Sequence, residues 1–272
     1  MIRLISILGG LFFVAALAWS LLWGSINFAS EGMPKSVERE FHIKHPKHLH
    51  LASDGPFGHF DNQQLQRGFQ VYQEVCATCH ALSQVTYRDL SALGYNEDEV
   101  KAIAAKAQVP AYDPKTGEVK TKPGLSTDHF PPVVYGGQGT PPDLSLIAKA
   151  RHGGGAYVYS LLTGYAQQPA ALLKKYPDAK TPDGLHYNPY FANLNIAMPP
   201  PLTGDGQVTY SDGTKASVDQ MAKDVSAFLV WTAEPKLAKR NQTGWAVLGF
   251  LLAATVLAYL AKKNVWSDVG GH

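Results

Sequence analysis

Two cysteines and a histidine stand together at Cys76-Ala77-Thr78-Cys79-His80, and the 272-residue chain has no other cysteine. Thiols three positions apart on one incipient helical turn can both add to the vinyl groups along one edge of a porphyrin. The histidine that follows then falls beneath the ring, where its imidazole can bind iron. The C-x-x-C-H spacing therefore points to covalent attachment of one haem c. Two other chemistries use paired cysteines. A redox-active dithiol does not need His80 and usually follows a strand in a βαβ pattern, whereas an amphipathic helical stretch precedes this pair. A structural zinc site needs four ligands, commonly four cysteines or cysteines with histidines, and two cysteines are too few. With both thiols alkylated, none is left for a structural disulfide.

Iron held by His80 needs a second axial ligand from a distant part of the chain: Met198, Met221 or one of the other nine histidines. Met198 lies in Asn195-Ile196-Ala197-Met198-Pro199-Pro200-Pro201, where no apolar stripe claims it. A proline-stiffened loop can hold a weak thioether ligand at fixed distance with little ordering cost. Met221 shares one helical face with Val218, Val225, Phe228 and Leu229 and reads as core. Met198 is the expected ligand. His/Met ligation raises the reduction potential relative to two histidines and leaves no open position for a substrate. A haem enzyme or gas sensor would instead need Met198 not to bind. The stretch from His42 to His50 holds four histidines but no acid or thiol, is broken by Pro46, and reads as a solvated segment rather than a metal site. His152, just before three glycines, reads as a helix end.

The elements that must carry these groups are mainly helical. Asp61-Asn62-Gln63-Gln64 has the form of a helix start, with Asp61 as cap and Gln64 three residues on. That helix continues through Leu65, Phe69 and Tyr72 toward Cys76. Gly68 inside it costs about 1 kcal/mol relative to alanine, which predicts a closely crossing helix, with Val218–Trp231 as partner. Pro141-Pro142-Asp143 is expected to start another helix, capped by Asp143 and ending after His152. Glu97-Asp98-Glu99 reads as a solvated helix start whose charge suits the N-terminal dipole, or else as part of an acidic docking surface. The stretches 110–139 and 166–201 are rich in Pro, Gly, Asp and Tyr without a sustained period and read as long loops wrapping the haem.

The chain is uncharged from Leu4 to Ser30 and again from Trp245 to Ala261. Helices of these lengths approach the roughly 30 Å hydrocarbon core of a bilayer. The formal charge of +2 arises in the terminal segments, from Arg3, Lys262 and Lys263 against Asp268, so the intervening domain is neutral and offers no basic surface for nucleic acid. The expected layout is an N-terminal signal sequence or signal anchor at 1–30, a periplasmic haem domain at 31–242, a transmembrane helix at 243–263 and a short cytoplasmic tail at 264–272. The N-terminal run exceeds the 7–15 residues of a signal core, and Asn27-Phe28-Ala29 is a poor cleavage site, which favours a retained anchor. Lys262-Lys263 mark the cytoplasmic end of the second helix, although Lys236, Lys239 and Arg240 on the exported side weaken that bias. Covalent haem is normally attached outside the cytoplasm, which decides the orientation across a bacterial inner membrane.

Taken together, the motifs make the chain resemble the cytochrome c1 family, the haem subunit of the cytochrome bc1 complex. The likeness runs from Gly55 to Trp266. It rests on Gly55-Pro56-Phe57-Gly58, on Arg67-Gly68-Phe69-Gln70-Val71-Tyr72 leading into Cys76–His80, and on Tyr87-Arg88-Asp89-Leu90. Pro141-Pro142-Asp143-Leu144-Ser145, Ala150-Arg151-His152-Gly153-Gly154, Leu161-Leu162-Thr163-Gly164-Tyr165 and Asn188-Pro189-Tyr190-Phe191 continue it. Ile196-Ala197-Met198 and the Asp224-to-Pro235 stretch complete it. The resemblance implies a class I c-type cytochrome helical fold with haem-wrapping loops and a C-terminal transmembrane helix. It implies an electron-transfer subunit of a quinol–cytochrome c oxidoreductase, itself a carrier without catalytic residues. The partners it implies are cytochrome b, a Rieske iron–sulfur protein as donor, a cytochrome c acceptor and the lipid bilayer, within a dimeric complex. It places the axial methionine at Met198, a haem-propionate contact at Arg151, and Pro142 among the cofactor-binding residues. The chain departs from the family in a shorter stretch between Phe130 and Pro141, in lacking the extra disulfide of some bacterial members, and in an N-terminal helix if that is retained. The alternative is a free membrane-anchored cytochrome c delivering electrons to a terminal oxidase. Such carriers usually have a small domain on a flexible linker, whereas here a much larger domain reaches Trp245 with almost no linker.

Overall fold

A computed structural model describes residues 2–31, 36–112, 114, 117–137, 139–267 and 269, without the side chains of Ile2 and Glu31. The first residues expected in the soluble domain (32–35), parts of the 110–139 stretch (113, 115, 116 and 138) and the end of the tail (268, 270–272) lie outside the described residues. In chain order the helices are α1 (Ile2–Glu31), α2 (Val37–Phe41), α3 (Asn62–Val71), α4 (Glu97–Lys106), α5 (Ile147–Ala150), α6 (Gly154–Leu162), α7 (Ala170–Lys175), α8 (Val218–Ala233) and α9 (Leu237–Val265). Two small antiparallel pairs accompany them: β1 (Gln108–Tyr112) with β2 (Val119–Pro123), and β3 (His186–Tyr187) with β4 (Asn195–Ile196).

The centre of the domain is the crossing of α3 over α8. Asp61 Oδ1 accepts from the backbone N–H groups of Gln63 and Gln64 at 2.9 and 3.3 Å, satisfying donors that the first turn of α3 leaves orphaned. The Gln64 side chain does not turn back to complete a capping box; it reaches across to Asp224 Oδ1 at 3.2 Å. Leu65, Phe69 and Tyr72, spaced four and three apart, present one buried face. A Cβ on Gly68 would lie 2.1 Å from the Asp224 carbonyl oxygen and 2.7 Å from Phe228 Cβ, so the two backbones approach as only glycine allows. Ser217 caps α8 by accepting from Gln220 N at 3.1 Å. Met221, Val225, Phe228, Leu229 and Trp231 are all buried along α8, which α3, α5 and α6 cover from different sides.

Aromatic rings fill the space under the crossing. Phe228 packs on Phe69 at 5.6 Å, on Tyr72 at 5.8 Å and on Trp231 at 5.6 Å between centroids. Phe130 joins from the far loop, stacked on Tyr87 at 4.4 Å. Each such pair contributes about 0.5–1.5 kcal/mol beyond the area it buries.

Several loop expectations are corrected. The 110–139 stretch contains most of a β-hairpin, and 166–201 contains α7, a 3₁₀ turn at Pro177–Ala179 and the β3–β4 pair. Pro141–Leu146 is not helical, because Asp143 spends its carboxylate elsewhere, as described below; only the single turn α5 forms. His152 lies beyond α5, and Gly154 and Gly155 open α6 rather than close the preceding helix. The histidine-rich stretch is not wholly solvated. Lys47 N donates to Ser160 Oγ at 2.8 Å and its ammonium to Thr163 Oγ1 at 2.8 Å, pinning the segment along α6. His45, His48 and His50 remain exposed, and among the described residues no cluster of three or more ligands forms a metal site.

Both α1 and α9 are long and apolar enough to cross a membrane, over Arg3–Ser30 and Leu237–Val265. Only Glu234, Pro235 and Lys236 separate α8 from α9. Glu234 ties this joint to both sides, accepting from Arg240 at 2.9 Å and from Lys149 at 3.4 Å.

Candidate functional site

At its C-terminal end α3 widens into one π-helical turn, Tyr72–Cys76, in which Ala77 N donates to Tyr72 O at 2.8 Å. Such insertions concentrate at functional positions. The next turn holds the motif: Cys79 N and His80 N both donate to Cys76 O, at 3.1 and 2.9 Å. Cys76 and Cys79 are not joined in a disulfide. Burial, with the Cys79 thiol beside it, pushes the Cys76 thiol up to about 12, which keeps it neutral near pH 7. The Tyr72 hydroxyl, itself pushed up by burial, donates to His80 O at 3.0 Å and closes the turn.

His80 is oriented from the opposite side. Its Nδ1 lies 2.8 Å from the Pro142 carbonyl oxygen, which can only accept, so Nδ1 carries the proton. That leaves the Nε2 lone pair for a metal. Three further bonds lace the two segments together. Leu144 N donates to Ala81 O at 2.9 Å, Ser83 N to Asp143 Oδ2 at 2.8 Å, and Gln84 N to Ser145 Oγ at 3.1 Å. The other carboxylate oxygen of Asp143 accepts from Ser145 N at 2.8 Å. Burial opposes the Asp143 charge, but the Ser145 and Ser83 donors outweigh it and hold the group below the usual carboxylate range. Asp143 thus clamps a loop to the segment after the motif instead of capping a helix. The sequence pattern Pro-Pro-Asp fits both roles and does not choose between them.

Beside Cys79 opens a cavity of about 300 Å³, walled by Ala81, Pro132, Val133, Tyr135, Pro141 and Asp143 among others. Gly139 belongs to the same wall, and a Cβ on it would lie 3.7 Å from Ala197 Cβ, so the residue before Met198 sits against the cavity rim. Met198 follows β4 by two residues and is half-buried; its carbonyl accepts from the Tyr165 hydroxyl at 3.0 Å. Tyr165 stood in the sequence only as part of a family motif, with no role assigned to it. Met221 is fully buried in α8 and belongs to the core. Arg151 is exposed, donates to the neighbouring Ala150 carbonyl at 3.3 Å, and is not among the residues walling the cavity. Free paired thiols, an imidazole with Nε2 unengaged and a largely apolar cavity beside them form a donor set that fits a covalent haem.

A family model described as the cytochrome C1 family matches residues 51–269. Cytochrome c1 of Rhodospirillum rubrum is 45% identical over 237 residues, covering 79% of this chain and 85% of that protein. A mitochondrial cytochrome c1 heme protein of Arabidopsis thaliana is 39% identical over 252 residues, covering 90% and 78%. A protein of Bradyrhizobium diazoefficiens named cytochrome b/c1 is 41% identical over 237 residues, covering 79% of this chain and 34% of that protein.

Proposed function

The chain belongs to the cytochrome c1 family, and from that membership we propose that it takes single electrons from a Rieske iron–sulfur protein and passes them to a cytochrome c. As a family member it carries a covalently bound haem c, transfers electrons within the membrane-anchored cytochrome bc1 complex, and associates there with cytochrome b. The haem supplies a one-electron redox centre. The chain's own residues hold and tune it. Cys76 and Cys79 would tether the group by two thioethers, and His80 would bind iron through Nε2. Met198 would supply a thioether ligand, Arg151 would pair with a propionate, and Pro142 fixes the imidazole through its carbonyl. The observation that carries this reading is the 2.8 Å contact between His80 Nδ1 and Pro142 O, which commits the tautomer and leaves one nitrogen for the metal.

In this reading the chain is a carrier within a dimeric oxidoreductase and converts no substrate itself. The haem domain, 31–242, faces the periplasm; 243–263 spans the inner membrane, 264–272 is a cytoplasmic tail, and 1–30 is a signal or second anchor. Lys262-Lys263 at the far end of α9 supports that orientation. The three-residue joint before α9 weighs against a free carrier swinging on a linker. Purification in mild detergent tests the proposal. A b-type haem protein and an iron–sulfur protein should accompany the chain; recovery with a terminal oxidase alone would replace this reading with that of a tethered carrier.

A further inference from the structure

The tip of one loop of the soluble domain lies against the root of α9. Asn241 Nδ2 donates to Gly55 O at 3.4 Å, and the Trp245 indole N–H donates to Pro56 O at 3.2 Å. Phe57 stacks on Trp245 with centroids 5.0 Å apart and planes within 10°. The loop is built to hold this pose: Asp54 Oδ2 accepts from Leu51 N at 2.9 Å, and His59 N donates to Ala52 O at 2.9 Å. Yet Phe57 is 75% exposed and Trp245 46% exposed. An aromatic pair on a braced loop is an apolar surface without a cover in this chain.

Its position says what covers it. Trp245 is the residue at which the uncharged run of α9, begun at Asn241, turns apolar. At about 1.5 Å per residue the 29 residues of α9 extend roughly 44 Å, well beyond a hydrocarbon core of about 30 Å. The turns before Trp245 therefore stand in the headgroup layer. Lys239 is about 9 Å above Trp245 along the axis and about 120° around it, so it meets the headgroup layer on an adjoining side of α9. Lys236 and Lys239 are exposed and, among the described residues, have no acidic partner, whereas Arg240 is occupied by Glu234. The Trp245 N–H is already satisfied by Pro56, so the ring pair can sink to the acyl boundary without leaving a donor unpaired.

We propose that Phe57 and Trp245, with Lys236 and Lys239 above them, form a seat for anionic phospholipid, on which the haem domain itself rests at the bilayer surface. The lysines meet lipid phosphates and the rings meet the upper acyl chains. The seat rests on α9 crossing the membrane.

A nitroxide label on a single introduced cysteine tests it in the full-length, haem-loaded chain, reconstituted in vesicles of phosphatidylcholine with phosphatidylglycerol. Labels go on Phe57→Cys, on Val134→Cys as an aqueous reference, and on Leu252→Cys as a mid-span reference. Accessibility to a water-soluble nickel chelate should be several-fold lower at 57 than at 134, though higher than at 252. Lys236→Gln with Lys239→Gln, or vesicles of phosphatidylcholine alone, should raise it at 57 and leave 252 unchanged. Equal accessibility at 57 and 134 with 252 protected overturns the seat while sparing the anchor. Protection at 57 that ignores both lysines and headgroup charge overturns the anionic lipid. Protection that appears only in the purified complex gives the surface to a protein partner and overturns the proposal. Access at 252 removes the anchor and the seat together.

Discussion

The two proposed iron ligands divide by how far ahead of the chain's folding they could be named. His80 follows from adjacent residues alone, because C-x-x-C-H sets its place by counting. Met198 follows from elimination, since Met221 has a helical face to occupy and Met198 has none. Replacing Met198 with leucine should leave the haem covalently bound and the fold intact but lower the midpoint potential, because the thioether favours ferrous iron. Each drop of about 59 mV shifts a one-electron equilibrium tenfold against accepting the electron, so quinol-to-cytochrome turnover should slow correspondingly. An unchanged midpoint in a redox titration would remove Met198 from the iron. The residues that aim the ligands had no physical signal of their own: Pro142 entered only through the family resemblance, as a cofactor-binding residue, and Tyr165 only as part of a motif. Tyr165 contacts Met198 through a backbone carbonyl, and Pro142 contacts His80 the same way. A carbonyl is common to every residue type, so neither contact leaves a mark on composition or spacing.

Between elements, the glycine in α3 was the legible signal and its partner helix followed from the face it must meet. Gly68→Ala should destabilise the domain by about 1–3 kcal/mol, since its Cβ would lie 2.1 Å from a backbone carbonyl oxygen that cannot move aside cheaply. Gly68→Leu should cost more. Urea unfolding followed by tryptophan fluorescence reads both; wild-type stability in the alanine variant would mean that α3 and α8 can separate. Asp224 was not legible in the same way. It is fully buried, yet it accepts from Arg67 Nε at 3.0 Å and from Gln220 Nε2 at 2.9 Å. A sequence shows an aspartate on a helix, and only the crossing brings Arg67 and Gln64 to it. Asp224→Ala should cost on the order of 3–5 kcal/mol by leaving the partly buried Arg67 without its main partner, with Asp212 at 2.7 Å limiting the loss. The short strands escaped for another reason: pairs of two to five residues are too brief to show an alternating pattern.

Across the whole molecule, a neutral haem domain has no global field to attract a basic partner, which leaves local patches. The densest acidic run, Glu97-Asp98-Glu99, is committed locally. Glu99 accepts from Asn96 N at 2.7 Å in a capping box, and Lys101 reaches Glu97 at 2.8 Å and Asp98 at 3.6 Å. Surface charges so paired and screened steer weakly. Glu97→Gln with Asp98→Asn, keeping the cap residue Glu99, should therefore leave the second-order rate of cytochrome c reduction unchanged from low to high ionic strength. A rate that falls only at low salt would restore the cluster as a docking patch. The membrane-spanning lengths at both ends were legible from charge alone. The stiffness of the joint was not, because it depends on Glu234 meeting Lys149 and Arg240 from different elements.

The π-helical turn at Tyr72–Cys76 has the force of a phase setting. An α-helix advances about 100° per residue, and the wider turn takes up one extra residue without passing that rotation on, since Ala77 N still closes on Tyr72 O, five positions back. Deleting Val75 would make this an ordinary bond four positions back and leave both the α3–α8 crossing and the segment after Ala77 in phase. Cys79 and His80 would then still face the Pro142 carbonyl. The expected product folds normally and keeps covalent haem, detectable as haem stain on a denaturing gel beside a normal unfolding curve. Loss of haem in that variant would mean that the wide turn itself, and not only the phase it preserves, is needed for attachment.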